Sequence, residues 1–181
     1  MDQSSIAAVL GKIDFEVFVL TAADRDRRNG QIVCWVMPAT IVPQVPRVIV
    51  GVGRMSYTRE LIEASRKFAL NLLAKDQWSW VSHFGFQSGR QVDKFATVPF
   101  ERGITGSPLL SGIVGYLECE VRSVLDGGAH LFYLADVLEG TLVADRDPLC
   151  LHQLFEVLPP EDIETMKRLL EQDIPRDLSL L

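Results

Sequence analysis

Two long apolar segments joined by a glycine-rich turn constrain the fold of this sequence more than any other feature. Residues 113–125 and 130–142 are each long enough for an extended strand, and Asp126-Gly127-Gly128 between them is a strong hairpin signal. A second hairpin turn is predicted at Asn29-Gly30, between two shorter apolar segments. Strands joined by tight turns are antiparallel, so the sequence predicts a mainly β, antiparallel fold.

Two predicted helices lie between the first and last groups of strands. One begins at Ser56, a residue type favoured at helix N-caps, and the other is predicted to be capped by Asp76. A buried strand is predicted at 47–52, and alternating apolar residues predict another at 68–72. Strict alternation of strands and helices is missing, which favours an antiparallel Greek-key β-barrel with inserted helices over a doubly wound sheet.

The chain has 181 residues, enough for one domain with a sizeable core. We assign residues 1–148 to the barrel domain and residues 149–181 to a C-terminal helical extension packed on the same domain. Helical spacing of apolar residues after Pro159-Pro160 predicts the extension. Pro38, Pro43 and Pro46 predict a loop or a sheet edge over residues 37–45, because proline cannot donate to a central β-ladder.

The composition excludes several classes of function. The formal net charge is −6, which repels phosphate backbones and argues against a general nucleic-acid binder. The three cysteines and three histidines show neither a disulfide framework nor the spacing of metal ligands, so no metal site is predicted. No segment has the character of a signal peptide or the length of a membrane helix. We therefore expect a reduced, cytoplasmic protein without membrane or nucleic-acid partners.

The segment Gly51-Val52-Gly53-Arg54-Met55-Ser56 suggests a dinucleotide-binding βαβ unit, because it follows a predicted strand and opens a helix. Asp76 would then contact the ribose. Ser56 stands where the third glycine is needed for close packing of helix on strand, and the neighbouring strands are antiparallel. The simpler interpretation is that the two glycines end a strand tightly.

One candidate anion site surrounds the start of the first inserted helix. Arg54 offers a guanidinium, Ser56 and Thr58 offer hydroxyls, and the helix start offers free N–H groups. Together these groups could hold a phosphate monoester. The alternative is a capped helix with a surface arginine.

A second candidate anion site is the loop that contains Ser88, Arg90 and Lys94. A hydroxyl, two cations and a flexible glycine suit an anion in the same way. The alternative is a solvated loop in which Asp93 pairs with Lys94.

Other chemically reactive residues carry weaker signals. Cys34 lies within an apolar strand, which is typical of a small buried hydrophobic residue. Glu118 and Glu120 flank Cys119 on one strand and so face the side opposite to it, which predicts a solvated face rather than a pair of catalytic carboxylates.

The chain resembles the flavin reductase-like family, whose members have an FMN-binding split β-barrel. The resemblance covers about residues 14–148 and rests on the order and spacing of short matches. These are Asn29-Gly30, residues 34–40, the strand at 45–52, Ser56 and Thr58 with 60–62, residues 68–73, 83–90 and 93–95, then 106–109, 115–120 and Gly128-Ala129-His130.

In this family FMN lies at the interface of a homodimer, so the resemblance implies a dimer with FMN, or FAD, as cofactor. It implies that the flavin and its phosphate are held by Asn29, Cys34, Trp35, Val36, Met37, Thr40, Arg54, Ser56, Thr58, Ser88, Arg90 and Lys94. It also implies that His130 lies on the nicotinamide side of the ring, although Ala129 stands where the family often has an acid. Met37-Pro38 replaces more polar residues, so backbone contacts to the ring would count for more.

The resemblance predicts an oxidoreductase that passes hydride from NAD(P)H to flavin N5 and then passes electrons to an acceptor such as an oxygenase. The flavin supplies this chemistry, which agrees with the lack of a catalytic dyad in the sequence. Two alternatives remain open at this point: an FMN-binding electron-transfer module without its own NAD(P)H activity, and a barrel that binds no ligand.

Overall fold

A computed structural model describes residues 2–181 and contains one large curled antiparallel sheet with helices on both sides. The strands are β1 Phe18–Asp24, β2 Arg27–Val33, β3 Val36–Pro38, β4 Arg47–Gly53, β5 Lys67–Leu72, β6 Phe100–Arg102, β7 Pro108–Leu110, β8 Gly115–Asp126 and β9 His130–Leu142. Seven of them form the large sheet, in the order β2-β1-β5-β8-β9-β4-β3, and a small sheet pairs β6 with β7. The predicted mainly β, antiparallel fold with inserted helices is confirmed.

The helices are α1 Gln3–Leu10, α2 Tyr57–Ser65, α3 Ser79–Gly85, α4 Leu151–Val157 and α5 Pro160–Leu178. Ser56 is the N-cap of α2, as predicted, and its hydroxyl accepts from the Arg59 N–H at 3.2 Å. The predicted cap at Asp76 is wrong: Asp76 lies in a short 3₁₀ turn before α3 and pairs with Arg146. None of the helices in residues 2–181 is long and apolar enough to cross a membrane.

The first hairpin turns at a different place from the one predicted. Asp24 pairs with Arg27, so the turn is formed by Arg25 and Asp26, and Arg25 has a φ of 56°. Gly30 lies inside β2, opposite Thr21. A Cβ on Gly30 would lie 2.9 Å from the Phe84 ring, so glycine is needed there for close packing rather than for a turn.

The second hairpin forms where it was predicted. β8 and β9 pair over most of their length, and Gly128 in the connection has a φ of 78°. β9 also pairs with β4, from Arg47 opposite Asp136 to Gly53 opposite His130. This pairing brings the start of α2 next to the turn between β8 and β9.

The central part of the sheet is buried on both faces, whereas the far ends of β8 and β9 are exposed. On β1, Leu20 contributes to a core that α2 closes, and Val19 contributes to a second core with α3 and α4. Leu149 and Leu154 belong to the second core, so the segment after residue 148 packs on the barrel at its start. The division of the chain at residue 148 remains a prediction.

Glu118 does not lie on a solvated face, which corrects the expectation from strand alternation. It is 1% exposed and accepts hydrogen bonds from the Ile104 N–H and from the N–H and hydroxyl of Thr105. The register of β8 shifts between Glu118 and Cys119, and the loop around Gly103 covers this side of the sheet. The carboxylate therefore anchors that loop.

Candidate functional site

A cavity of 780 Å³ lies where β2, the end of β4, the start of α2, the end of α3 and the long helix α5 meet. Six of the residues predicted from the sequence line it: Asn29, Trp35, Ser56, Ser88, Lys94 and His130. Its volume is within the range of small-molecule and cofactor sites. Cys34, Val36, Met37, Thr40, Arg54, Thr58 and Arg90 lie outside the lining.

Asn29 lines the cavity and carries an unused hydrogen-bond acceptor that lies beneath the Gly89 loop. Its side-chain amide donates to the Thr58 hydroxyl at 2.8 Å, and both side chains are buried. Its Oδ1 atom is buried and has no hydrogen-bond partner within residues 2–181. A buried polar atom without a partner is costly, so a small movement of the Gly89 loop that let a ligand donate to Oδ1 would be favourable.

Gly89 forms the wall next to this oxygen. A Cβ at Gly89 would lie 2.1 Å from Asn29 Oδ1, so only glycine lets the loop approach so closely. The close approach places Ser88 at the cavity beside the buried amide. The loop, β2 and the start of α2 are thereby held together around one corner of the cavity.

The start of α2 supplies part of the predicted anion site. Ser56 lines the cavity, and the first N–H groups of the helix lie beside it. Arg54 is directed elsewhere: its guanidinium donates to the Gly128 carbonyl and pairs with Asp126. The structure thus uses Arg54 to attach β4 to the turn between β8 and β9.

The two cations of the loop at 88–94 are in different environments. Arg90 forms a two-point pair with Glu60, at 2.6 and 3.0 Å, and its guanidinium lies 5.2 Å from the centre of the Tyr57 ring. It lines a separate recess of 270 Å³, which shares Tyr57 and Gly89 with the main cavity. Arg90 therefore lies next to the main cavity, on the other side of Tyr57 and Gly89.

Lys94 is buried at the cavity wall and holds two elements together. Its ammonium donates to the Gly30 carbonyl at 2.9 Å and to the Phe84 carbonyl at 2.6 Å. Burial lowers the pKa of Lys94 to about 8. The alternative in which Asp93 pairs with Lys94 is wrong, because Asp93 pairs with Arg28.

Aromatic side chains form the opposite end of the cavity. Trp35 lies 4.6 Å from His130 and 6.2 Å from Phe132, measured between ring centres, and it stacks on Phe132 at 13°. Burial lowers the pKa of His130, opposed by the nearby carboxylate of Asp177. A neutral imidazole beside an indole offers a flat, weakly polar wall to a planar ligand.

The segment at 34–40 contributes less to the lining than the resemblance implies. Trp35 faces the cavity, whereas Val36 and Met37 belong to the edge strand β3. Thr40 accepts from the Val42 N–H at 3.1 Å within its own loop. Burial raises the pKa of the Cys34 thiol to about 12, which makes this thiol a poor nucleophile.

Sequence reasoning missed the largest group of lining residues, which belongs to α5. The group comprises Leu169, Leu170, Asp173, Ile174, Arg176, Asp177, Leu178 and the chain end at Leu181. Apolar spacing after Pro159-Pro160 predicted a helix, but spacing within a helix does not say what the helix covers. Tyr57 and the end of α3 were also missed as lining residues.

These features fit a flavin. A flavin has a planar ring system that suits the aromatic wall, N–H groups and hydroxyls that suit the Asn29 oxygen, and a phosphate that suits the α2 start with Ser56 and Ser88. When bound, it would supply hydride and electron transfer that no protein side chain supplies. The chain's own residues would bind and orient the ring.

The comparison with known proteins identifies the family. The model of the flavin reductase-like domain matches residues 10–154, most of the chain. The chain therefore belongs to the flavin reductase-like family, and the resemblance noted in the sequence is confirmed. α5 lies after the matched segment.

Particular relatives include proteins of redox function. The high molecular weight rubredoxin of Moorella thermoacetica is 28% identical over 169 residues, which cover 91% of this chain and 73% of that protein. HsaB of Mycobacterium tuberculosis, the reductase subunit of a flavin-dependent monooxygenase, is 31% identical over 130 residues, or 72% of this chain and 67% of HsaB. The chain spans only 22% of the length of the putative diflavin flavoprotein A 2 of Synechocystis, to which it is 30% identical.

A solved structure with the same fold is the NADH:FAD oxidoreductase SgcE6 of Streptomyces globisporus C-1027. It is 27% identical, with a TM-score of 0.73 over 82% of this chain and 88% of that chain. A further structure of SgcE6 is a complex with NAD and FAD fragments.

Proposed function

We propose that this protein is an NAD(P)H-dependent flavin reductase that binds FMN in the 780 Å³ cavity. The observation that carries the proposal is the corner where the unpaired Asn29 oxygen, the N-terminus of α2 and Ser88 converge, facing the aromatic wall of Trp35 and His130. SgcE6 and HsaB, by their names, are an NADH:FAD oxidoreductase and a monooxygenase reductase subunit, which supports the assignment.

The phosphate of the flavin would bind at the corner of the cavity. Ser56, Ser88 and the free N–H groups of α2 offer donors, and Arg90 would supply the positive charge after leaving Glu60. Lys94 stabilises this corner through its hydrogen bonds to the carbonyls of Gly30 and Phe84. The recess beside Arg90 also has room for the adenylate part of FAD, so FAD is the second candidate flavin.

The ring of the flavin would lie toward Trp35, with the Asn29 oxygen accepting from a hydroxyl or N–H of the ligand. His130 closes this end of the cavity and would contact the nicotinamide of NAD(P)H. Because burial favours the neutral imidazole of His130, it would act as a hydrogen-bond partner and not as a cation for phosphate. Arg54 would act indirectly, by fixing the turn that leads to His130.

The protein would work as a homodimer in the cytoplasm and deliver electrons to a separate acceptor such as an oxygenase. Support comes from the edge strand β3 and the loop after it, where Met37 is 57% and Ile41 is 99% exposed. Exposed apolar residues clustered at a sheet edge are typical of an interface. Burying this edge against a second copy would also enclose the segment at 34–40, which the single chain leaves at the rim of the cavity.

Anaerobic stopped-flow absorbance tests the reductase function directly. The protein loaded with FMN is mixed with NADH or NADPH, and the loss of flavin absorbance is recorded. We expect reduction by at least one nucleotide, and we expect it to be slower in His130→Ala even when that variant is saturated with FMN. His152→Ala is the matched control, because His152 is a half-exposed histidine beside Asp14, outside the cavity lining.

The outcomes separate the reductase from the alternative. FMN binding without reduction by either nucleotide would favour an electron-transfer module. Failure to bind any flavin would overturn the proposed function. Equal rates in the His130 and His152 variants would remove His130 from the nicotinamide side.

A further inference from the structure

Helix α5 is attached to the barrel at its two ends and lies over the cavity between them. Near its start, the Ser82 hydroxyl donates to Asp162, and Ile163 packs on the second core. At its end, the carbonyl of Leu180 and the side chain of Leu181 lie against Gly128. A helix of this length spans about 28 Å, sufficient to cross the mouth of the cavity.

The second half of α5 is held weakly. Within residues 2–181, no hydrogen bond or ion pair joins residues 164–181 to any residue before α5. Arg176 pairs only with Asp173 and Asp177 of the same helix. None of the residues of α5 is buried. Few buried contacts and no polar attachment are the marks of a segment that opens at low free-energy cost.

The face of α5 toward the cavity carries a row of apolar side chains that is not packed. Leu170, Ile174 and Leu178 line the cavity, yet they are 55%, 64% and 70% exposed. The helix also contains Pro175, which lacks the N–H that would bond to the Glu171 carbonyl. An apolar row that faces an apolar cavity without filling it would gain from a flat, apolar ligand between the two walls.

We propose that residues 169–181 form a lid that closes on the bound flavin and undocks from Gly128 to let ligands enter and leave. The proposal rests on the proposed function for the identity of the ligand. The leucine and isoleucine side chains would cover the ring on the side opposite to Trp35. The carboxylates of Asp173 and Asp177 and the guanidinium of Arg176 would lie near His130, so the nicotinamide would reach the ring only when the lid is open.

Gly128→Ala is the perturbation that the structure makes most specific. A Cβ at Gly128 would lie 2.8 Å from both the Leu180 carbonyl oxygen and Leu181 Cδ2, so it should displace the lid. Gly128 also has a φ of 78°, and alanine there would strain the turn. Gly106→Ala is the matched control, because Gly106 has a φ of 79° and nothing within 4 Å of the added Cβ.

Hydrogen exchange measured by mass spectrometry on the whole ligand-free protein decides whether the lid undocks. Peptides covering 169–181 should exchange about fivefold faster in Gly128→Ala than in wild type, and at the wild-type rate in Gly106→Ala. Peptides from α1 serve as the internal reference. Equal exchange of 169–181 in all three proteins would overturn the proposal.

Addition of FMN decides whether the lid closes on the flavin. With FMN bound, as shown by the absorbance of the complex, exchange of 169–181 in the wild type should slow by about fivefold or more. FMN should also dissociate faster from Gly128→Ala than from Gly106→Ala. Bound FMN that leaves exchange at 169–181 unchanged would overturn the lid. If FMN did not bind at all, the proposed function would fail, and the ligand-free comparison would still decide whether the segment undocks.

Discussion

Replacing Arg90 with alanine tests how the proposed phosphate site works. In the structure the Arg90 guanidinium is engaged by Glu60 and lies over the Tyr57 ring, but the side chain remains 44% exposed. It is therefore free to move from Glu60 to a phosphate bound beside Ser56 and Ser88. The variant removes this cation and leaves the lining of the main cavity intact.

The expected magnitude follows from two opposing contributions. A charge-assisted hydrogen bond from Arg90 to the phosphate would contribute about 1.5–3 kcal/mol. Breaking the exposed ion pair with Glu60 costs about 0.2–1 kcal/mol. The difference is about 0.5–3 kcal/mol, so Arg90→Ala should raise the Kd for FMN roughly 2- to 100-fold.

Fluorescence titration with FMN and with riboflavin measures the effect. Riboflavin has the same ring and ribityl chain but no phosphate, so Arg90→Ala should leave its Kd unchanged. Glu60→Gln should change the affinity for FMN in the opposite direction. It releases Arg90 from its ion pair, so FMN should bind up to about fivefold more tightly while riboflavin is unaffected.

Two results would refute this reasoning. Equal weakening of FMN and riboflavin would mean that Arg90 supports the fold or the ring rather than the phosphate. Unchanged affinity for both flavins would remove Arg90 from the site and leave the phosphate to the helix N-terminus and the serine hydroxyls.

Three further predictions concern buried or half-buried ionisable groups. Glu118→Gln should lower the free energy of unfolding in urea by about 2–4 kcal/mol, because the new NH₂ group opposes the N–H donor of Ile104 while the amide oxygen keeps the two Thr105 bonds. Glu120→Gln on the same strand should change it by less than about 0.5 kcal/mol, and equal effects would contradict the buried-acceptor role. Burial holds the pKa of His130 below its ordinary value. As the pH falls, the unfolded chain therefore protonates this histidine before the folded protein does, and the contribution of His130 to stability should fall below about pH 6.5. An NMR titration that placed the pKa of His130 above that of a free histidine would contradict this. Burial lowers the pKa of Lys94 to about 8. Between about pH 8 and about pH 10.5 the folded protein has lost this proton and the unfolded chain still holds it, so the contribution of Lys94 to stability should rise with pH over this range. Denaturation at several pH values measures the rise, and the same rise in Lys94→Met would exclude Lys94 as its source.

The features that the sequence predicted correctly depend on near neighbours along the chain. The turn at Gly127-Gly128 needs a residue that tolerates positive φ, and Gly128 adopts 78°. The N-cap at Ser56 needs only a short side chain that reaches the N–H three residues later. Family membership followed from the same kind of local matches, taken in order along the chain.

The features that were predicted wrongly depend on contacts between distant segments. Asn29-Gly30 has the composition of a hairpin turn, but Phe84 requires a glycine within the strand, and the turn moves to Arg25 and Asp26. Strand alternation would expose Glu118, but a loop that precedes it in the chain supplies three donors and buries it.

The cavity itself was decided only by tertiary structure. The sequence by itself determined that Ser56, Ser88 and Asn29 offer polar groups, because donor and acceptor chemistry belongs to the residue type. It did not determine that Arg54 and Lys94 would bind carbonyls of the protein, or that α5 would cover the cavity. Those outcomes depend on which surfaces meet when the chain closes, because burial and the choice of hydrogen-bond partner are set by atoms that lie far apart in sequence and close together in space.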